Sequence, residues 1–166
     1  MEITLVPFDT TGRSRIVQLI SKSNQFNLTT KRYSNSEVED FEAKPNFFTR
    51  QIRLKDVFGD NGMISVIICE KSKDVWIIDT WLMSCRVLGR RVEEAVLQDI
   101  VRHAREAEAS KLVGIFSPTD RNILVKDHYK KLGFTKISVK GKNESWELDI
   151  SNYQPPSLPM SFKYAL

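Results

Sequence analysis

The chain has 166 residues, of which 41% are hydrophobic and 28% are charged, and its formal net charge is +4. This length and composition are expected for one soluble globular domain with its own core. We find no RNA-binding motif, zinc finger or long basic stripe, so the modest positive charge does not predict nucleic-acid binding. No apolar run reaches the roughly 18 residues of a membrane-spanning helix, so no membrane association is expected.

The two ends of the chain differ from its middle. Residues 1–12 are predicted to be an N-terminal extension, 13–150 to form the domain, and the proline-rich residues 151–166 to be an extended tail. The start lacks the basic and apolar pattern of a secretory signal, so a cytoplasmic location is expected. The two cysteines, Cys69 and Cys85, lie outside any Cys/His cluster, so neither a disulfide framework nor a metal site is predicted.

The first half of the domain is predicted to contain two short helices followed by three strands. Apolar spacing indicates a helix over 13–24, and the capping-box pattern that begins at Ser34 starts the second helix. Residues 47–55 and 63–69 flank a turn-forming segment and are expected to pair as a hairpin. Residues 75–83 are almost continuously apolar, which is typical of a central strand covered on both faces.

The second half alternates helices and strands. A long helix is predicted over 90–109, a strand over 111–116, and a helix capped by Asp120 and ended by Gly133. Two further strands, 134–139 and 145–150, complete the domain. The order of elements indicates an α/β (α+β) fold with a mixed sheet and helices on both faces.

The loop between the central strand and the long helix is the first candidate binding site. A helix start presents free amides and a positive dipole end, a glycine lets an anion approach the backbone, and arginines add charge-assisted hydrogen bonds. The alternative is that the glycine only eases a strand-to-helix turn. The candidate binding residues in this loop are Arg86, Val87, Leu88, Gly89, Arg90 and Arg91.

This loop resembles the pyrophosphate loop, R/Q-x-x-G-x-G/A, of the GNAT acyltransferases, which bind acetyl-CoA there. The resemblance implies a GNAT acyl-CoA N-acyltransferase-like fold and a coenzyme A cofactor. Arg86 and Gly89 match the pattern, whereas Arg91 replaces a small residue and would either hold phosphate or obstruct the pocket.

A second segment, in which Asn122 precedes Tyr129 and Gly133-Phe134, resembles the closing Asn and Tyr-x-x-x-Gly-Phe pattern of GNAT proteins. The resemblance implies that Asn122 contacts the cofactor and that Tyr129 gives a proton to the departing thiolate. The alternative is that Tyr129 is packed in the core, because it lies on the apolar stripe of its helix.

Two longer segments resemble the FkbH-like family. Asn24–Tyr33 and Trp81–Arg90 are similar to two signatures of that family, in the same order. FkbH-like proteins transfer a glyceryl group to the phosphopantetheine thiol of an acyl carrier protein. The resemblance therefore implies that phosphopantetheine can replace coenzyme A, and that a carrier protein is a partner. From its residues alone, Asn24–Tyr33 is either a rigid structural turn or a substrate contact.

FkbH-like proteins also carry an N-terminal HAD phosphatase domain with an Asp-x-Asp motif, which this chain lacks. A separate HAD-domain protein is therefore a further expected partner, unless the sequence is a piece of a longer protein. Cys85 becomes the candidate acceptor of a thioester in transit, since Arg86 and the helix start favour a thiolate. The alternative is a small buried side chain without reactivity.

Two other functions fit the sequence. The chain could be a GNAT-shaped module that docks a carrier protein for a separate HAD enzyme and has lost its own chemistry, as Arg91 in the loop suggests. It could also be an N-acetyltransferase that uses acetyl-CoA, with Asp79 as the base.

Overall fold

The computed structural model describes residues 1–166, which form one eight-stranded sheet with helices on both faces. The strands are β1 Glu2–Val6, β2 Phe47–Asp56, β3 Gly59–Lys71, β4 Val75–Met83, β5 Lys111–Phe116, β6 Thr135–Lys140, β7 Asn143–Asp149 and β8 Ser161–Lys163. The helices are α1 Arg13–Lys22, α2 Asn35–Ala43, α3 Val92–Glu106 and α4 His128–Lys131. Short 3-10 turns lie at Cys85–Val87, Ile123–Val125 and Ile150–Asn152.

The strands follow the order β6-β7-β5-β4-β3-β2-β1-β8. Neighbouring strands are antiparallel except for two pairs, β4 with β5 and β1 with β8, which are parallel. The predicted hairpin of β2 and β3 is confirmed. The mixed sheet predicted from the order of elements is therefore confirmed, and its parallel pair β4–β5 lies near the centre.

Several local predictions are confirmed because they depend on short-range chemistry. The strands predicted over 75–83 and 111–116 have those bounds in the structure. Ser34 and Glu37 form the capping box at the start of α2. Gly133 follows α4 with a positive φ of 92°, which is the left-handed conformation that favours glycine.

The two ends of the chain were predicted to lie outside the domain, and this is wrong. Residues Glu2–Val6 pair with β2 as β1, and Ser161–Lys163 pair with β1 as β8. The side chains of Ile3 and Leu5 are almost fully buried. Five residues and three residues are too short for a periodicity signal. The strands form because β2 offers an edge to β1, and β1 in turn offers an edge to β8.

The predicted helix cap at Asp120 is also wrong. The chain instead makes a 3-10 turn at Ile123–Val125, and the one-turn helix α4 begins at His128. Asn122 holds the preceding turn, since its side-chain oxygen accepts a hydrogen bond from the Thr119 amide at 2.7 Å.

The core has one cluster on each face of the sheet. Helix α3 packs on one face through its apolar stripe, which includes Val96 and Ile100. Helices α1 and α2 cover the other face through residues such as Ile16 and Val38. No helix is long and apolar enough to cross a membrane.

Candidate functional site

Strands β4 and β5 separate at their carboxyl ends. Their pairing runs from Val75 and Lys111 to Ile78 and Gly114 and then stops, although both strands continue. Crevices at the carboxyl ends of parallel strands are the usual ligand sites of sheets with helices on both faces. The gap between 79–83 and 115–117 is therefore the natural place for a ligand in this fold.

The chain itself fills this gap. The segment 26–29, which links α1 to α2, runs between the two separated strands and continues the sheet. The Leu28 amide donates to the Trp81 oxygen at 3.0 Å, and the Met83 amide donates to the Phe26 oxygen at 3.0 Å. On the other side, the Ser117 amide donates to the Leu28 oxygen at 2.8 Å. We call residues 26–29 the inserted segment.

Side chains fasten the inserted segment at both strands. Asn122 donates hydrogen bonds from its amide nitrogen to the main-chain oxygens of Asn27 and Ser117, each at 3.0 Å. The Thr29 hydroxyl donates to the main-chain oxygen of Asp79 at 2.9 Å. Asn122, predicted to contact a cofactor, therefore contacts the protein's own backbone.

The inserted segment leaves the gap without room for an extended ligand. Asn27 and Leu28 are fully buried, and Phe26 and Thr29 are each 6% exposed. The main-chain atoms of β4 and β5 that could bind a pantetheine arm here are already paired with the segment. In this conformation the gap does not fit the pantetheine arm of coenzyme A.

The arginines of the predicted phosphate loop are engaged within the protein. Arg86 donates to the Ser84 hydroxyl at 3.1 Å and to the Asn61 main-chain oxygen at 3.3 Å. Arg90 forms an ion pair with Asp56. The Arg86 guanidinium has only neutral partners, whereas the charge of Arg90 is offset by a carboxylate.

Arg91 stands where the pyrophosphate-loop pattern has a small residue, and its side chain binds a residue of its own helix. It precedes α3 in the left-handed conformation, with φ of 63°, and its guanidinium binds both carboxylate oxygens of Glu94, at 2.7 and 2.9 Å. This hydrogen bonding lowers the pKa of Glu94 and keeps the carboxylate charged. Arg91, the residue before α3, is thus paired with Glu94 in the first turn of that helix.

A groove of about 310 Å³ lies outside the inserted segment, between the start of α3 and α4. Its wall includes Leu88, Glu93, Glu94 and His128, and Phe26 lies in it as well. Gly89 has φ of 80° and no atom within 4 Å of an added Cβ, so the backbone is open at this turn. The two glutamates already complement the helix dipole, and their charge opposes the approach of a phosphate.

Val87, by contrast, is fully buried in the core.

Tyr129 is buried in the core. It is 1% exposed, and its hydroxyl has no hydrogen-bond partner. Its ring lies where a Cβ on Gly114 would be, at 2.3 Å, so the glycine makes space for the ring. Burial raises the pKa of the Tyr129 hydroxyl well above its usual value. The hydroxyl cannot exchange a proton with a solvent-exposed ligand in this arrangement.

Two other buried polar groups surround Tyr129. The Trp81 ring lies 4.4 Å from the His128 ring and 6.1 Å from the Tyr129 ring, between centroids. Trp81 Nε1 and His128 Nε2 also lack hydrogen-bond partners. Burial lowers the pKa of His128 to about 3, so the imidazole is neutral at physiological pH.

The two cysteines have opposite environments. Cys69 is fully buried in β3, and burial raises the pKa of its thiol. Cys85 is exposed at the carboxyl end of β4, and its thiol donates to Gln25 Oε1 at 3.4 Å. It lies in a second cavity, of about 360 Å³, whose wall is formed by Leu19, Lys22, Ser23, Asn24, Gln25, Phe26, Met83, Ser84 and Cys85. We call this the Cys85 cavity.

The alternative base, Asp79, is not free. Its carboxylate pairs with Lys31 and accepts a hydrogen bond from the Tyr33 hydroxyl at 2.6 Å. Burial and this hydrogen bond raise the pKa of Tyr33. Asp79 therefore anchors residues that follow the inserted segment, a contact that sequence reasoning missed because it joins positions 46 and 48 residues apart.

Neither a protein-family model nor a curated protein sequence matches the chain. Solved structures do. The ribosomal-protein-S18-alanine N-acetyltransferase of Escherichia coli matches with a TM-score of 0.69 at 12% identity, over 92% of this chain and 96% of that one. The GNAT domain of S. lividans PAT matches with a TM-score of 0.67 at 16% identity, over 87% and 89% of the two chains.

A third match is the spermidine N-acetyltransferase of Vibrio cholerae, solved in complex with CoA and spermine. Its TM-score is 0.66 at 11% identity, over 90% of this chain and 96% of that one. Identities this low establish the fold and leave the activity to be argued from the site. This chain has the fold of the GNAT acetyltransferases.

Proposed function

We propose that this chain transfers acyl groups held as thioesters on a phosphopantetheine thiol, and that Cys85 receives the acyl group. The observation that carries the proposal is the contrast between two candidate sites. The gap between β4 and β5 is filled by the inserted segment, whereas the Cys85 thiol is exposed in a cavity of about 360 Å³. Of the two predicted catalytic residues, Cys85 is accessible and Tyr129 is not.

The proposed step is a thioester exchange. The Cys85 thiolate attacks the carbonyl carbon of the incoming thioester, and a new carbon–sulfur bond forms. The bond between that carbon and the pantetheine sulfur then breaks. The pantetheine sulfur leaves as a thiolate and takes up the proton that the Cys85 thiol gave up, so no further reactant is required.

The resemblance to FkbH-like proteins supports a carrier protein as the donor or the acceptor of the acyl group. Asn24–Tyr33 and Trp81–Arg90, the two segments that carry the resemblance, contribute Asn24, Gln25, Phe26, Met83, Ser84 and Cys85 to the wall of the Cys85 cavity. A glyceryl group as the cargo and a separate HAD-domain protein as its source follow from the same resemblance. Coenzyme A is the alternative carrier of the pantetheine thiol.

Intact-mass measurement tests the exchange. Incubation with glyceryl- or acetyl-S-pantetheine should add one acyl mass to the protein, and peptide mapping should assign it to Cys85. Acyl groups loaded on CoA and on a carrier protein identify the natural carrier. Cys69 is the internal control, because its burial should leave it unmodified. An adduct that survives in Cys85→Ala would refute the relay.

A second function is favoured by the filled gap. A GNAT-shaped module that docks a carrier protein without transferring its cargo needs no opening between β4 and β5. For this function, carrier protein should bind equally well to the wild type and to Cys85→Ala, and neither should acquire an acyl mass. The acyl adduct therefore separates the two functions.

An N-acetyltransferase that uses acetyl-CoA is the third function. A ligand at about 100 times its dissociation constant stabilises a protein by about 2.7 kcal/mol, which a thermal melt detects. Because the inserted segment occupies the gap, we expect acetyl-CoA to leave the melting temperature unchanged. A clear upward shift without an acyl adduct on Cys85 would favour the N-acetyltransferase.

A further inference from the structure

Three cations lie in the wall of the Cys85 cavity or next to residues of that wall. Lys22 lies in its wall, and no acidic residue does. Arg86 directly follows Cys85 in the chain. Arg32 donates a hydrogen bond at 2.9 Å to the main-chain oxygen of Ser23, which also lies in the wall. We call Lys22, Arg32 and Arg86, all of them exposed, the basic rim.

No carboxylate offsets the basic rim. None of its cations forms an ion pair. Lys31 and Arg90, which follow the same two segments of the chain, are instead paired with Asp79 and Asp56. Since no acidic residue lines the cavity, no carboxylate in its wall neutralises the charge of the basic rim.

The end of α1 offsets only part of this charge. Arg32 donates hydrogen bonds to the main-chain oxygens of Ile20 and Ser23, so it caps the carbonyl end of the helix, and Lys22 is the last helical residue. A helix carboxyl end carries about half a negative charge. Two cations at that end and a third at Arg86 leave a clear positive excess.

We propose that the Cys85 cavity selects an acyl group that bears an anionic substituent, a carboxylate or a phosphate. This inference rests on the proposed function, since it names the class of cargo that Cys85 receives. The basic rim attracts the substituent and holds it beside the thiol. A neutral acyl group of the same size gains nothing from these cations and reacts more slowly.

Alkylation of Cys85 tests the selection without any acyl transfer. Iodoacetate is anionic and iodoacetamide is neutral, so the ratio of their rate constants at Cys85 reports the local potential. At low ionic strength we expect this ratio to exceed that of free N-acetylcysteine by about threefold or more, and to approach it in about 0.5 M salt. Peptide mapping separates Cys85 from Cys69.

Charge-removing variants identify the cations. Lys22→Gln and Arg86→Gln should each lower the iodoacetate-to-iodoacetamide ratio about two- to threefold. Lys142→Gln removes the same charge from the exposed turn between β6 and β7 and should leave the ratio unchanged. The ratio cancels any change in the thiolate fraction, because both reagents alkylate the same thiolate, and an unchanged melting temperature shows that a variant keeps its fold. A wild-type ratio equal to that of N-acetylcysteine would overturn the inference.

Thioesters then separate this inference from the proposed function. Succinyl-S-pantetheine should acylate Cys85 several-fold faster than butyryl-S-pantetheine, and a thioester of a phosphorylated hydroxy acid distinguishes phosphate from carboxylate. Equal rates for the succinyl and butyryl groups would overturn the selection and leave the exchange standing. A raised alkylation ratio without acylation by any thioester would support the anion site and refute the exchange.

Discussion

Leu28→Ala tests whether the inserted segment is a structural part of the sheet. Leu28 is fully buried between β4 and β5, and truncation of such a leucine costs about 2–5 kcal/mol, because transfer free energy is lost and a cavity remains. We expect the free energy of unfolding to fall by about 3 kcal/mol. In a domain of this size the melting temperature should drop by roughly 6–12 °C. Urea unfolding followed by circular dichroism measures the change.

Leu124→Ala is the matched control. Leu124 lies at the groove beside α4 and is 53% exposed, so the same truncation should change stability by less than about 0.5 kcal/mol. If Leu28→Ala is as mild as Leu124→Ala, the inserted segment contributes little to the core. A ligand could then displace it, and the reasoning that the gap is closed would be refuted.

Asn122→Ala should destabilise the protein by about 1–3 kcal/mol in urea unfolding, because it removes the hydrogen bonds that tie the inserted segment to β5. Gly114→Ala places a methyl group 2.3 Å from the Tyr129 ring and should lower the free energy of unfolding measured in urea. This loss should be smaller in a Tyr129→Ala background, and additive losses would contradict the contact. Burial lowers the pKa of His128 from 6.5 to about 3, so between these pH values His128 is protonated in the unfolded chain and neutral in the folded chain. Stability should therefore be complete above pH 6.5 and fall by about 1.4 kcal/mol per pH unit in acid titrations, and His128→Phe should remove this slope.

This chain has the GNAT fold, but its own residues 26–29 occupy the gap between β4 and β5 where a ligand would be expected. Main-chain pairing in the sheet requires only an extended segment, and residues 26–29 supply one from the chain itself. Asn122 keeps a role at the gap, but its partner is a peptide carbonyl of Asn27. The accessible candidate site of this chain is therefore the Cys85 cavity and not the gap.

The sequence alone determined the elements whose signals are local. Continuous apolarity predicted β4 with its observed bounds, helical spacing predicted α3 to within a few residues, and the side chains of Ser34 and Glu37 predicted the start of α2. These signals are local because they depend on the types of residues that lie next to one another within a single helix or strand. Residues 86–91 follow β4 and Asn122 follows β5, in the predicted order of elements.

Only the tertiary structure decided what occupies the gap between those strands. The Asn and Thr pattern around Asn27 allowed a rigid turn or a substrate contact. It did not predict that the main chain of Leu28 would hydrogen-bond to Trp81 and Ser117, which lie 53 and 89 positions further along. Such pairing uses main-chain atoms that every residue carries, so it leaves no mark in the residue types. The same reason hid β1 and β8. Folding also decided that Cys85 is exposed and Cys69 buried, because exposure depends on which elements pack over a side chain.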